Sequence, residues 1–323
     1  MDVSVVIPTR NRSALLAMTL RSVLRQQSVD LEVIVVDEGS TDDTASMLAA
    51  VADTRLRIIR HDTPHGLSAA RNHGANEARG QWLAFVDDDD LWAPDRLVRQ
   101  IEAAEQAERG WVYTGSVNIE GWRIVYSRPP LPPHETVATL PRYNVIPGGG
   151  SNVMWRRSMW MNVGPFDTRF RGGEDWEMSI RSAQYGPPAW VCRPLMAKRV
   201  HETNMFLNVS EIMRATRLIE DLHHTHVDWG KVHRWVAERY LRNGQRGAAL
   251  AQFAKAAMKG EVGGVTEDLS RLLRRRLGRY AAVSPPRIAA MSDPWAAEAT
   301  AWLSELQTIC SPGHSATQRA HAK

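Results

Sequence analysis

Residues Gln81 to Trp92 read QWLAFVDDDDLW, an apolar run that ends in four consecutive aspartates. Bulky and aromatic side chains from Trp82 to Val86 suit a short strand buried on both faces. Adjacent carboxylates repel one another, so Asp87 to Asp90 at the mouth of a buried strand are costly unless a cation or hydrogen-bond donors compensate. In an extended segment side chains two apart share a face, which points Asp87 and Asp89 to one side and Asp88 to the other. Oxygen donors of this kind suit Mg²⁺ or Mn²⁺, with water and substrate phosphates completing the shell. The bland reading, a solvated acidic turn ahead of Pro94, leaves the apolar flanks unexplained.

Three runs upstream have the same character: DVSVVIP (residues 2 to 8), LEVIVVD (31 to 37) and LRIIRH (56 to 61). Between them, apolar residues recur at three- and four-residue spacing over 15 to 26, 42 to 52 and 67 to 79, which predicts three crossover helices. Strands alternating with helices call for an α/β domain, Rossmann-like, with a mostly parallel sheet covered by helices on both faces. Ligands of such sheets bind beyond the carboxyl ends of the strands. The tails PTRNR, DEGS, HDTPHG and DDDD are therefore the candidate site.

The chain has 323 residues and a formal charge of +4, with 43% hydrophobic and 24% charged residues. That balance excludes collagen, coiled coil and wholesale disorder, and is too mild to imply a nucleic-acid partner. Of 40 Lys plus Arg only five are lysine, an arginine excess suited to phosphate or carboxylate but also expected from codon bias. Two cysteines, no evident export signal and no long apolar run point to a cytoplasmic protein.

The tails carry distinct chemistry. Gly39 permits the turn after the second strand and Ser40 or Thr41 can cap the next helix, which leaves Asp37 for a base or ribose. After the first strand, Pro8, Thr9, Arg10 and Asn11 stand where a dinucleotide enzyme carries GxGxxG and a P-loop enzyme GxxxxGK[ST], so both classes are disfavoured. Gly66 opens a helix whose Arg71 could pair with phosphate or simply form a surface salt bridge. Beyond a helix starting at Ala93-Pro94, WVYTGSVNI and WRIVYS form an antiparallel hairpin around Glu120-Gly121. The Pro- and Gly-rich stretch 128 to 150 reads as a mobile loop over the site.

In that order and at those separations, PTRNR, VVDEGSTDDT, GLSAARNHG and FVDDDDLW resemble the nucleotide-binding half of glycosyltransferase family two, with the GT-A fold. The resemblance continues through SNVMWRRSMWMNVGPFD, RGGEDWEMSIR and RPLMAKRVHETNM, so it covers about residues 1 to 205. It implies transfer of a sugar, with inversion, from a nucleoside diphosphate sugar such as a UDP-sugar, with Mn²⁺ or Mg²⁺ as cofactor. Thr9, Asp37 and Arg71, with Pro8, Arg10, Asn11, Gly66 and Asp88 beside them, would surround the base and phosphates. Asp87 would lie near the ribose and Asp89 on the metal. The Glu174-Asp175 pair would supply the base, with Asp175 preferred; Glu174 competes if Asp175 caps a helix over 175 to 183. His201 could approach the metal or diphosphate, or be a hydrogen-bonded structural residue. Gly148, Gly149 and Gly150 before Ser151 would let backbone approach the donor, and Trp176 could stack on a sugar. Glu38 departs from the commoner Asp.

These expectations divide the chain into a catalytic domain over 1 to 204, with halves 1 to 110 and 111 to 204, a helical appendage over 205 to 282, and a weakly structured tail over 283 to 323 with room for a short helix. Within the appendage, 209 to 225, 231 to 243, 246 to 259 and 266 to 280 read as helices, the last with a basic face that would either be solvated or touch anionic lipid. Trp122, Trp155 and Trp160 fit a cleft or the core. The acceptor stays open among saccharide, lipid-linked, natural-product and peptide hydroxyls. A non-catalytic nucleotide-sugar-binding protein acting through its helices and a nucleotidyltransferase on a similar sheet remain as alternatives.

Overall fold

A computed structural model describes residues 1–201, 209–242, 244–276 and 294–310. Parallel strands β1 (Val3–Thr9), β2 (Leu31–Asp37), β3 (Leu56–Arg60) and β4 (Trp82–Phe85) lie in the order β3-β2-β1-β4. Their connections are α1 (Ser13–Leu24), α2 (Thr44–Ala49) and α3 (Leu67–Asn76). Every residue of β1 and β2 is buried because alternate side chains meet different layers. Val3, Val5, Ile7, Val33 and Val35 pack with Leu16, Leu20 and Val23 of α1, while Val6, Ile34 and Val36 pack with Ala70 and Ala75 of α3. Gly74 allows that second contact, since a Cβ there would stand 2.4 Å from Val6 Cγ1.

The sheet then turns mixed. It continues through β8 (Val153–Arg156), β6 (Trp111–Glu120), β9 (Ala189–Arg199) and β5 (Leu91–Trp92), with β7 (Arg123–Arg128) antiparallel to β6 as the expected hairpin. This is the GT-A architecture, a curled and mostly parallel sheet with helices and a helical C-terminal region. The helix expected at Ala93-Pro94 begins later, as α4 (Arg96–Gln106). The stretch 128 to 150 is only partly loop, because Pro133 opens α5 (Pro133–Thr139) and Gly149–Asn152 form a 3-10 turn. After α6 (Arg157–Val163) comes α7 (Glu174–Gln184). Residue Gly173, in the left-handed region at φ 81°, occupies its N-cap, so Asp175 lies inside the helix instead of capping it.

The C-terminal helices are α8 (Val209–His223), α9 (Trp229–Arg242), α10 (Arg246–Met258) and α11 (Val262–Arg276). They are not a separate appendage throughout. Ala215, Ile219, Val232 and Val236 of α8 and α9 join the main core, whereas Ala237, Phe253, Ala256 and Val265 form a small cluster of their own. Residues 277 to 280 of the expected basic helix lie outside the described residues, as do the side chains of 271 to 276. No helix among the described residues is long and apolar enough to cross a membrane.

The expected weak tail contains a substantial helix, α12 (Pro294–Cys310). Ala299, Trp302, Leu303 and Leu306 recur at one helical face and bury against Leu195, Ala197, Val117 and Ile119 of the sheet. Trp302 Nε1 also donates to Pro194 O at 3.0 Å. Trp302→Ala should therefore lower the unfolding free energy by about 3–5 kcal/mol in urea denaturation; an unchanged midpoint would show that α12 does not hold this edge of the sheet.

Candidate active site

Strand tails, the 3-10 turn, the start of α7 and helices α8 and α9 enclose a cavity of about 460 Å³. Pro8, Thr9, Arg10, Gly66, Arg71 and Asp87 to Asp89 line it together with Gly149, Gly150, Glu174, Asp175 and Trp176. Residues separated by more than 80 positions in the sequence thus meet in one space.

Asp88 and Asp89 lie in a turn closed by Asp90 N donating to Asp87 O at 3.1 Å, not in the extended segment expected, and they share one cation. Arg12 Nη1 donates to Asp88 Oδ1 and to Asp89 Oδ2, each at 3.0 Å, while Thr9 Oγ1 donates to Asp88 Oδ2 at 2.7 Å. Burial pushes the Asp88 carboxyl up to about 6, against the pull of Arg12 and with a push from Asp89. Burial would raise Asp89 as well, yet its hydrogen bond with His201 and the charges of Lys198 and Arg12 hold it below its ordinary value. The His201 Nε2 to Asp89 Oδ2 distance is 2.9 Å, and Arg199 Nε donates to Asp89 O at 2.6 Å.

Oxygen atoms of Asp87, Asp89 and Asp90, one from each, lie within 4.8 Å of one another. Asp90 is fully buried, and neither of its side-chain oxygens accepts a hydrogen bond. Burial drives its carboxyl well above the usual range despite the charge of Lys198. An all-oxygen set with orphaned acceptors fits a hard divalent cation. The set also enlarges the expectation of Asp89 and His201, since Asp87 and Asp90 belong to it and His201 is in contact with Asp89 as a hydrogen-bond partner.

A buried guanidinium ties this acidic corner to the second half of the site. Arg71 Nη2 donates to Asp87 Oδ1 and Nη1 to Glu174 Oε1, with Arg71 itself 1% exposed. Its guanidinium is paired with carboxylates at the cavity lining, and the salt bridges it makes are buried, not at the surface. Burial raises the Glu174 carboxyl, opposed by Arg71 and reinforced by Asp175. Asp175 meets backbone N–H groups instead: Gly150 N donates to Oδ2 at 2.9 Å and Trp176 N to Oδ1 at 2.8 Å. Gly149, at φ 65°, makes room for this contact, because a Cβ there would stand 2.3 Å from Asp175 Oδ2. The glycine turn therefore serves a close approach to Asp175.

Other expected residues stand behind the wall. Asp37 is 1% exposed, absent from the cavity lining, and engaged by Arg60 and by Ser40 N at 2.9 Å. Its neighbour Glu38 faces the cavity in its place. Glu38 Oε2 accepts from His65 N at 2.7 Å and Gly66 N at 2.6 Å, while Oε1 meets His61 Nδ1, whose Nε2 lies 2.6 Å from His73 Nδ1. Asn11 braces the neighbouring turn, its Oδ1 accepting from Thr41 N at 2.7 Å. Ser151 is buried and outside the lining, with its Oγ accepting from Asp87 N at 3.0 Å. Trp176 Nε1 donates to Leu140 O at 2.7 Å, so only its ring reaches the cavity. Trp155 and Trp160 lie in the core and Trp122 packs beneath α12.

Sequence reasoning missed Lys198, Arg12 and Asp90 as parts of the acidic corner, and Tyr143, Ile212, Val232, Trp235 and Arg239 as parts of the wall. Lys198 had a signal, being one of five lysines and set in a strand. Burial would lower its ammonium, but Asp90, Asp87 and Asp89 raise it above its ordinary value.

The model of the family described as "Glycosyl transferase family 2" matches residues 4–164. A PGL/p-HBAD biosynthesis glycosyltransferase of Mycobacterium bovis is 32% identical over 194 residues, 59% of this chain and 72% of that protein. The succinoglycan biosynthesis protein ExoO of Rhizobium meliloti is 42% identical over 106 residues, 33% of this chain and only 30% of that protein's length. Among solved structures, S. aureus TarS 1–349 in complex with UDP-GlcNAc aligns with TM-score 0.57 at 16% identity, covering 99% of this chain and 92% of that one. The mannosyltransferase PcManGT from Pyrobaculum calidifontis, in complex with GDP-Man and Mn²⁺, aligns with TM-score 0.52 at 19% identity, covering 95% and 86%. At these identities the structures establish a shared fold.

Two stability measurements test the geometry. Arg71→Met leaves Asp87 and Glu174 without their buried cation and should cost about 3–5 kcal/mol in urea unfolding, part of which Arg71→Met with Glu174→Met recovers. For Asp88, a folded-state pKa of about 6 against an ordinary 3.8 means that the folded chain binds the proton more tightly. Stability should then fall as pH rises from about 4 to about 6, by on the order of 3 kcal/mol from this group. Asp88→Asn should flatten that slope in EDTA; an identical slope in the variant would place the titration elsewhere.

Proposed function

The chain belongs to glycosyl transferase family 2, and from that premise we propose that it transfers a glycosyl group from a nucleoside diphosphate sugar, uridine diphosphate sugars first, to an acceptor hydroxyl with inversion. The observation that carries this reading is one cavity holding both an acidic strand tail and a separate carboxylate on a helix start. Displacement of a diphosphate needs both functions: charge compensation for the leaving group and a base for the incoming hydroxyl.

The acceptor oxygen attacks the anomeric carbon from the face opposite the diphosphate. The carbon–oxygen bond to the diphosphate breaks with its electron pair leaving on the diphosphate, and a single displacement inverts the centre. The acceptor's proton passes to Asp175. Its two oxygens are held by Gly150 N and Trp176 N, which orient the carboxylate and still leave lone pairs for a proton. Glu174 is the weaker choice because its Oε1 is committed to Arg71; it positions the α7 start against the acidic corner. Asp89, Asp87 and Asp90 would hold Mn²⁺ or Mg²⁺, which as a Lewis acid would offset the charge of the departing diphosphate. Arg12, Lys198 and His201 hold Asp89 in place, and Arg12 and Lys198 supply further positive charge near the diphosphate. Thr9, Arg10, Gly66 and Glu38 form the rim for the nucleoside.

Release of nucleoside diphosphate from a panel of UDP- and GDP-sugars, with Mn²⁺ or EDTA, tests this. Release should require the cation and vanish in Asp89→Ala. Asp175→Asn should lower kcat about 10²–10⁴-fold with donor KM within a few-fold of the parent. Full activity in EDTA overturns the cation, and full activity of Asp175→Asn overturns the base.

A further inference from the structure

Of the strand tails, HDTPHG gives only Gly66 to the nucleoside rim, yet it sets two histidines beside a buried glutamate. Sheet register places the first of them. Strands β2 and β3 pair Asp37 with Arg60, and His61 N donates to Asp37 O at 2.9 Å, so Glu38 and His61 leave the sheet side by side. The chain then folds back, and Glu38 Oε2 accepts from His65 N at 2.7 Å and Gly66 N at 2.6 Å. That return brings the ring centroids of His61 and His65 to 4.7 Å. One oxygen of Glu38 and one nitrogen from each of His61 and His65 lie within 4.8 Å of one another.

The hydrogen-bond partners divide these atoms into an outer and an inner set. In the outer set, Glu38 Oε2 is filled by the two amides and His61 Nε2 meets His73 Nδ1 at 2.6 Å. In the inner set, Glu38 Oε1 and His61 Nδ1 face each other, and neither ring nitrogen of His65 is hydrogen-bonded among the described residues. Hydrogen bonding therefore accounts for Glu38, His61 and His73 but leaves the placement of His65 unexplained. Metal-binding imidazoles and carboxylates show this same division, with one atom on the ion and the other fixed by an outer partner. Glu38 is 5% and His61 9% exposed, whereas His65 is exposed and opens a way in from solvent.

We propose that Glu38 Oε1, His61 Nδ1 and the His65 imidazole form a second cation site, for a borderline ion of the zinc class. It shares no residue with the acidic corner and does not depend on the glycosyl-transfer reading. Two imidazoles and one carboxylate suit Zn²⁺ or Co²⁺, whereas the all-oxygen aspartate set suits a hard ion. A tetrahedral ion spaces its ligands roughly 3.4 Å apart, so Glu38 and His61 part slightly, the exposed His65 ring turns in, and water takes the fourth position. The ion replaces the proton shared by Oε1 and Nδ1, which leaves to solvent. Seated there, it clasps the loop before α3 to the end of β2.

Titration of the full chain with Zn²⁺ in excess Mg²⁺, which keeps the acidic corner filled, provides the test, repeated with Co²⁺ while visible absorption is recorded. One equivalent of Zn²⁺ should bind, and Co²⁺ should show the strong bands of a four-coordinate ion. His65→Ala should weaken Zn²⁺ about tenfold or more and abolish those bands. His65→Cys should restore binding and add a sulfur-to-cobalt band. An unchanged urea midpoint in EDTA shows that either exposed substitution leaves the fold intact. Failure of Zn²⁺ to bind in Mg²⁺ overturns the proposal, as does equal affinity in His65→Ala. Binding lost in Asp89→Ala but kept in His65→Ala also overturns it, because the ion would then sit at the acidic corner.

Discussion

One buried guanidinium joins the parts of this site. Arg71 comes from α3, Asp87 from just beyond β4 and Glu174 from the first turn of α7; Arg71 and Glu174 are almost wholly out of water, and Asp87 is partly buried. A charge in that environment is tolerable only when fully paired, so the three groups specify one another's positions. Because Asp175 follows Glu174, its distance from the acidic corner is set by the same pair. The glycine turn at 148 to 150 then closes on Asp175 from the other side.

Much of the first half of the fold is legible in the sequence because doubly buried parallel strands leave unbroken apolar runs, as in VSVVIPT and LEVIVVD, and their helices repeat with helical spacing. The hairpin around Glu120-Gly121 is legible for the same kind of reason. Other elements lack a local signal. Helix α5 hides in a proline-rich stretch whose Pro133 starts a helix, and β5 has two residues and exists through pairing with β9. Helix α12 did carry a signal in Ala299, Trp302, Leu303 and Leu306, which the loop-like residues on either side obscured.

The site divides along the same line. Its acids are conspicuous, since four adjacent aspartates at a strand end demand explanation. Their partners are not: Arg12, Lys198 and Arg199 reach the acidic corner through tertiary folding, Arg12 from 76 and Arg199 from 110 positions away, in pairings no sequence period encodes. Asp37 and Glu38 show how one position decides the outcome. Strand alternation turns the first toward Arg60 and the second toward the cavity.

The Glu38 network has a consequence for how the cavity meets its contents. Its carboxylate holds the amides of His65 and Gly66, and His61 links it onward to His73 on α3, so the loop over the strand ends is braced at both ends. The conformational entropy of that loop is surrendered during folding, and a molecule entering beside it finds a finished surface. Encounter at this rim should proceed as docking onto a rigid edge, with the rate of capture governed by diffusion and charge and no waiting time for a flap to settle.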